Sequence, residues 1–474
     1  MKSTAHRFKA QATAALANAE LQRALHKAGG GFVDKRRAAV AAFPDFEGLR
    51  ERGKRIKDHT LCHLDVYLAR FAAQVEANGG KVHWAEDGEA ARRIILDICR
   101  RARARSVTKA KTMVGEEIGI NDALEAGGFE VVETDLGEYI IQLAKEPPSH
   151  IIAPAIHKTR EQISALFDQH HHGSHTPRLR EVPELVDEAR QVLRNKFLGA
   201  DVGITGANFL VADTGTVVLV TNEGNADLSL TLPDTHIVLA GIEKVVPTLA
   251  DATTLLRLLA RSATGQEIST YTTFVTGARR PDEPDGPSDY HVVLLDNGRS
   301  RMLADEFREM LRCIRCGACL NHCPVYSAIG GHAYGWVYPG PMGSVLTPQF
   351  VGLDAAYDLP NACTLNGRCQ SVCPVKIPLP SLLRRLRERQ FERGHTKGAA
   401  RWALRAWAWL AQRPRLYRPL AGSAVRLLAL LGGKRGRARR LPLDPGWTVS
   451  RDFPTGAGST FQAQWHKRRK QGDD

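Results

Sequence analysis

The chain has 474 residues and a formal net charge of +14, enough for two or three domains and a sizeable core. Residues 394–474 hold 17 lysines and arginines against four acidic residues while the rest is close to neutral, which excludes a uniformly basic nucleic-acid binder and points to one basic surface. No run of 18 apolar residues exists, and the first 22 residues lack an apolar signal segment, so neither a membrane span nor a secretory leader is expected.

Residues 5–30 and 44–78 predict helices, with Leu61, Leu64, Leu68, Phe71 and Val75 at three- and four-residue spacing, and Gly79-Gly80 ends the second. Short strands and helices then alternate. Strands are expected at Val82–Trp84 and Gly128–Glu133, with a helix at Glu89–Arg103 between them. A helical turn at Tyr139–Ala144, a strand at His150–Ile156 and a helix at Lys158–His170 follow. This alternation predicts an α/β domain with a mostly parallel sheet covered on both faces. His170, His171, His172 and His175 invite a metal reading, but the glycine, serine and Pro177 among them favour a solvated loop.

Beyond an amphipathic helix at Glu184–Leu198, strands are expected at Phe209–Ala212 and Val217–Thr221, the latter running into Asn222-Glu223-Gly224-Asn225. Polar and glycine residues after a buried strand are where α/β sheets place ligands. Thr205, Asn208, Thr221, Asn222, Glu223 and Asn225 are therefore candidates for a ligand- or partner-binding edge, with a tight structural hairpin as the alternative. Gly203-x-x-Gly206 is no dinucleotide fingerprint, since it lacks the third glycine and the strand-to-helix context. A strand at His236–Ala240, a helix at Ala250–Ala263 and strands at Tyr271–Thr276 and His291–Leu295 close the domain, with Arg279–Ser288 a surface loop.

A helix at Ala304–Met310 leads to the stretch that carries the chemistry. Cys313, Cys316, Cys319 and Cys323 follow the iron–sulfur spacing C-x2-C-x2-C-x3-C-P. Cys363, Cys369 and Cys373 follow, the last again before a proline, so seven of the nine cysteines lie within 61 residues. Zinc is the rival for such thiolates, but its usual site pairs one C-x2-C with a distant second pair and needs no third evenly spaced thiolate. In two-cluster ferredoxins the first three cysteines of one run share a cluster with the last cysteine of the other. On that pattern Cys313, Cys316, Cys319 and Cys373 hold one [4Fe–4S] centre, and Cys323, Cys363 and Cys369 are left for a second. An ordinary second run would carry a cysteine where this chain has Asn366, so the second centre is [3Fe–4S], or [4Fe–4S] with a non-cysteine ligand. Two neighbouring centres suit electron transfer, and closely spaced reduced thiols point to the cytosol. Between the runs, the aromatic and proline-rich Tyr334–Gly343 is expected to shield a cluster or dock a partner.

After Ile377-Pro378-Leu379-Pro380 comes a basic helix at Leu382–Glu392. The tail holds five of the seven tryptophans: Trp402, Trp407, Trp409, Trp447 and Trp465. A helix spans Trp402–Leu410, Val425–Leu431 is a second apolar patch, and Lys434–Arg440 carries five positive charges. Tryptophan beside arginine can cap a partner protein, lie on an anionic membrane surface or stack on bases. Confinement of the charge to the tail argues against nucleic acid, leaving partner docking and a peripheral contact with the inner face of the membrane.

Several stretches resemble the iron–sulfur protein B of bacterial L-lactate utilisation operons. They are Lys111-Thr112-Met113 with Glu116-Glu117, Glu133 to Glu138, Pro147 to His150, Ala153 to Lys158, Gly203 to Phe209 and Thr221 to Asn225. Trp447-Thr448, Arg451-Asp452, Phe461 and Trp465 add to the match, together with the cysteine block. One departure is that many members carry the second run's thiolate at the position of Asn366 and a small hydroxyl residue at that of Cys363. After an N-terminal helical extension (1–60), the resemblance implies a lactate-utilisation (LUD) domain (61–300) whose sheet is similar to that of the CoA-transferase and sugar-phosphate isomerase superfamily. A helical, ferredoxin-like two-cluster domain (301–393) and a basic, tryptophan-rich extension (394–474) complete the chain. It also implies two partners: a cysteine-rich subunit of the kind in heterodisulfide reductases, and a smaller LUD-domain protein. With them the chain would carry electrons in the oxidation of L-lactate to pyruvate.

Two other readings compete: electron transfer for another 2-hydroxy acid, and a redox-sensing or scaffold protein without enzymatic activity. No base, nucleophile or flavin site stands out beside the cysteines, so the chain alone is expected to be inactive.

Overall fold

A computed structural model describes residues 3–171, 181–395, 398–441, 448 and 451–472, without the side chains of residues 27–30. Two compact units result, Met1–Gln390 and Phe391–Asp474. In the first, a six-stranded sheet is built from β1 (Lys81–Ala85), β2 (Ser106–Lys109), β3 (Glu130–Glu133), β4 (Val202–Thr205), β7 (Thr235–Gly241) and β10 (Asp289–Leu295). Its order is β1-β10-β7-β4-β2-β3 and every pairing is parallel. The central strands β7 and β10 read Thr-His-Ile-Val-Leu-Ala-Gly and Asp-Tyr-His-Val-Val-Leu-Leu, almost continuously buried, as strands covered on both faces must be. β5 (Phe209–Val211) and β6 (Thr216–Thr221) form an antiparallel hairpin. With β8 (Val245–Val246) and β9 (Tyr271–Val275) they make a second, four-stranded sheet, packed on the first through Leu210, Val217, Val238, Ala240, Val292 and Leu294. The mostly parallel α/β architecture expected from the sequence is thus present. Close packing explains Gly203: a Cβ there would come within 1.7 Å of the Ser229 carbonyl oxygen.

Two expected elements do not form. His150–Ile156 is a sequence of turns rather than a strand, because the His150 ring turns back on its own backbone and Pro154 interrupts any ladder. His150 Nδ1 accepts from the amides of Ile152 (3.0 Å) and Ala153 (3.1 Å). The helix expected at Ala304–Met310 is broken: a helix ends at Leu303 and a 3-10 turn begins at Arg308. Conversely, β2 and β4 are four-residue strands without a distinctive alternation, and position in the sheet defines them. Of the histidine cluster, His172 and His175 lie outside the described residues. His171 is buried between the Tyr139 hydroxyl (2.9 Å) and Glu188 (3.1 Å), whereas His170 is exposed.

The N-terminal helices, among them Phe8–Ala17, Ala19–Ala41 and Phe46–Cys62, share one hydrophobic cluster with the cysteine region. Arg36 donates to the Val372 carbonyl (2.9 Å), Arg50 donates to that of Cys373 (2.8 and 3.0 Å), and Phe8 packs edge-on against Tyr334 (5.5 Å).

Burial also sets a pH dependence. His236 in β7 is fully buried, its Nε2 2.8 Å from the Thr205 hydroxyl, and burial with nearby His291 pushes its pKa from 6.5 down to about 3. Burial takes His150 down to about 4. Between those values and 6.5 the unfolded chain binds more protons than the folded one, so this stability is complete above about pH 6.5 and is lost as pH falls. Urea unfolding is expected to show stability declining from pH 7 to 4.5, by up to about 1.4 kcal/mol per unit for each such histidine. A profile flat across that range would contradict the buried neutral histidines.

Candidate functional site

The two cysteine runs are built alike. Arg315 (φ 60°) and Gly317 (φ 72°) turn the first run, Leu365 (φ 55°) and Gly367 (φ 79°) turn the second, and each glycine opens a short helix, Ala318–Asn321 or Arg368–Val372. In this repeat Asn366 takes the place of Cys316. It is exposed, its Oδ1 accepting from the Arg368 amide (3.0 Å).

Cys313, Cys316, Cys319 and Cys373 line one small apolar cavity with Ile151 and Met342. The electrostatic neighbours of the Cys369 thiol include Cys363 and Cys323. Backbone amides point at the sulfurs: Ile377 at Cys373 (3.4 Å), Tyr326 at Cys323 (3.5 Å) and Leu365 at Cys363 (3.2 Å). Arg50 and Arg387 (2.8 Å) hold the carbonyls of Cys373 and Cys363. Burial pushes the Cys373 thiol up to about 11, and burial with neighbouring Cys363 pushes that of Cys369 up to about 12. Grouped thiolates therefore persist here only with compensating positive charge, which iron supplies, and the residues fit an iron–sulfur group. Tyr334, Trp336 and Tyr338 from the loop between the runs are all buried.

A buried ionic network fastens the sheet domain to this region. Arg299 binds Glu117 through two bonds (2.8 and 2.9 Å) and Glu243 through a third (2.6 Å). Glu117 also accepts from the Tyr338 hydroxyl (2.6 Å), and Glu243 from Arg315 (3.3 Å). Burial opposes charge on Glu243, but Arg299 and Arg315 outweigh it and hold its pKa down to about 2.

Beside the first run opens a cavity of about 370 Å³. Of the six edge candidates, Asn208, Thr221, Asn222, Glu223 and Asn225 line it. Thr205 does not; it is buried against His236. Asn208 accepts from the Val220 amide (2.9 Å), Thr221 accepts from the Gly224 amide (3.2 Å), and Asn222 accepts from the Thr270 amide (3.2 Å). Burial, reinforced by Asp135, raises the Glu223 pKa. Three cations also line the cavity, Lys111, Lys244 and Arg315, and no motif marks any of them as a ligand contact. Lys111 stood within a stretch of family resemblance, but nothing local marks Lys244, which reaches the cavity only because β7 turns into β8.

In the second unit, helices Gly398–Ala411 and Pro414–Gly432 carry exposed Trp402 (71%), Trp407, Trp409, Leu427 and Leu430 (78%). Trp447 lies outside the described residues. Among the described residues, no helix is long and apolar enough to cross a membrane.

Three family models match the chain: the LUD domain over residues 68–295, the 4Fe-4S dicluster domain over 309–377, and lactate utilisation protein B, C-terminal, over 385–470. The chain is 45% identical to the uncharacterized electron transport protein YkgF of Escherichia coli K12, over 92% of this chain and 91% of that one. It is 44% identical to lactate utilization protein B of Oceanobacillus iheyensis, over 95% and 94%. To lactate utilization protein B of Lysinibacillus sphaericus it is 41% identical, over 100% and 99%.

Proposed function

Because the chain belongs to the lactate utilisation protein B family, we propose that it is the electron-transferring subunit of a complex that oxidises L-lactate to pyruvate. The observation that carries this reading is the gathering of seven thiols into two neighbouring groups inside a 4Fe-4S dicluster match. Cys313, Cys316, Cys319 and Cys373 would hold one [4Fe–4S] cluster. Cys323, Cys363 and Cys369 would hold a second, [3Fe–4S] or [4Fe–4S]. When bound, such groups accept and release single electrons. The chain's own part is to exclude water with Tyr334, Trp336 and Tyr338, and to point backbone amides at the ligand sulfurs, which tunes the potential. The name of the Escherichia coli relative, an electron transport protein, supports the same role.

The cysteine-rich subunit and the smaller LUD-domain protein are its proposed partners, in the cytosol. Anaerobic addition of L-lactate to the assembled complex should reduce the clusters of this chain, read by EPR, while the isolated cluster-loaded chain shows no turnover with an artificial acceptor. Reduction by a different 2-hydroxy acid, with none by L-lactate, would replace the substrate and keep the wiring. No reduction by any 2-hydroxy acid would favour a sensor or scaffold.

The tail is proposed to dock a partner subunit or an anionic membrane surface. Its 17 basic residues would govern encounter, and its exposed tryptophans would supply the desolvated contact. Truncation before Gly394 removes nearly all of the second unit and none of the cysteines. The truncated protein is expected to keep its iron and its first-unit fold but to lose affinity in pull-down and liposome sedimentation. A soluble, cluster-loaded truncation that binds partners and anionic liposomes as tightly as the full chain would overturn this role.

A further inference from the structure

The cavity beside the first cysteine run holds hydrogen-bonding groups that the protein itself leaves unanswered. Arg315 is about nine-tenths buried, its side chain 10% exposed, and stacks over Tyr338 (4.6 Å). One face of its guanidinium bonds Glu243, yet buried Nη1 has no hydrogen-bond partner among the described residues. Lys244 lines the same cavity, is 6% exposed, and makes no hydrogen bond or ion pair with any described residue. Glu243, the carboxylate bonded to Arg315, is already committed to Arg299, and the carboxylates Asp135 and Glu223 in the same lining are balanced in number by Lys111 and Lys244, leaving Arg315 in excess. Asn225, also in the lining, is 6% exposed and its Oδ1 is buried without a partner among the described residues. Leaving Arg315 Nη1 and Asn225 Oδ1 dry and unpaired costs about 1–3 kcal/mol each, and more for the charged group. Two unmatched cationic donors and one unmatched acceptor are complementary to a molecule bearing a carboxylate and a hydroxyl. The volume, about 370 Å³, suits a small organic ligand.

We propose that this cavity binds a small 2-hydroxy carboxylate, its carboxylate on Arg315 and Lys244 and its hydroxyl toward Asn225. This rests on the electron-transfer reading above and deepens it by placing the substrate in this chain, against Arg315, which directly precedes Cys316. Binding here needs no turnover by the isolated chain, since the oxidation would still require a partner.

The test is isothermal titration of the anaerobic, cluster-loaded full chain with L-lactate, propionate, lactamide and inorganic phosphate, repeated on R315Q, R315K and K244Q. L-Lactate is expected to bind. Propionate, lacking the hydroxyl, is expected to bind several-fold more weakly, and neutral lactamide not measurably. R315Q and K244Q should each weaken L-lactate by about tenfold or more, equivalent to about 1.4 kcal/mol. R315K should recover part of the loss, and K244Q should leave iron content and EPR signal unchanged. Absence of L-lactate binding to the wild-type chain would overturn the proposal. So would phosphate binding as tightly as L-lactate, or retention of affinity in both Arg315→Gln and Lys244→Gln. Loss of iron in Arg315→Gln with full affinity in Lys244→Gln would likewise overturn it, assigning Arg315 to the thiolates alone. If the wild-type chain binds no L-lactate while the assembled complex is still reduced by it, the site fails and the function stands. If the chain binds L-lactate but the complex is not reduced by it, the site stands and the electron-transfer function fails.

Discussion

Cys316→Ser is expected to lower bound iron and sulfide by about half, since one of two proposed centres loses a thiolate. It should also lower thermal stability. Cys316 lies in the hydrophobic cluster that joins the N-terminal helices, the sheet domain and both cysteine runs, together with Cys323, Cys369 and Cys373. Metal binding and folding are coupled where ligands come from separate segments, and Cys316 and Cys373 are more than fifty residues apart. Anaerobic iron and sulfide analysis with EPR measures the first effect and a thermal melt the second. Unchanged iron would remove Cys316 from the ligand set. The companion serine substitution at exposed Cys62 should change neither quantity.

Arg299→Met is expected to be the most destabilising single change outside the cysteines. Arg299 is fully buried and neutralises two buried carboxylates, Glu117 and Glu243, through three short bonds. Burial works against its charge, and the two carboxylates more than restore it. Removing one partner of a buried ion pair leaves the other uncompensated, at a cost of about 3–5 kcal/mol. That is a large share of the roughly 5–15 kcal/mol by which proteins exceed their unfolded state. The damage should reach the first cysteine run, because Glu243 also holds Arg315 and Glu117 also holds Tyr338. Urea unfolding, or the rate of thermal inactivation if unfolding is irreversible, measures the loss, with iron release as a second readout. A variant within about 1 kcal/mol of wild type would show that the network is dispensable.

Much of this architecture is legible in the chain itself. The cysteine spacing and its two glycines determine the turns locally, because a positive φ and three thiolates within seven residues are properties of a short segment. The long buried strands β7 and β10 declare themselves through near-continuous apolar runs. His150–Ile156 misleads for the same reason: its apolar residues resemble a strand, while the bonds that make it a turn run from a histidine ring to its own backbone.

By itself, then, the sequence determined the cluster-binding segments, the α/β class and the confinement of charge to the tail, because each depends on near neighbours in the chain. Only the tertiary structure decided which buried charges pair, and that Lys244, Arg315 and Asn225 face one space. Those groups are 19 to 90 residues apart, and hydrophobic packing of the sheets, the N-terminal helices and the cysteine loops brings them together. No local periodicity records such a meeting, since it is set by the burial of surfaces contributed from distant segments.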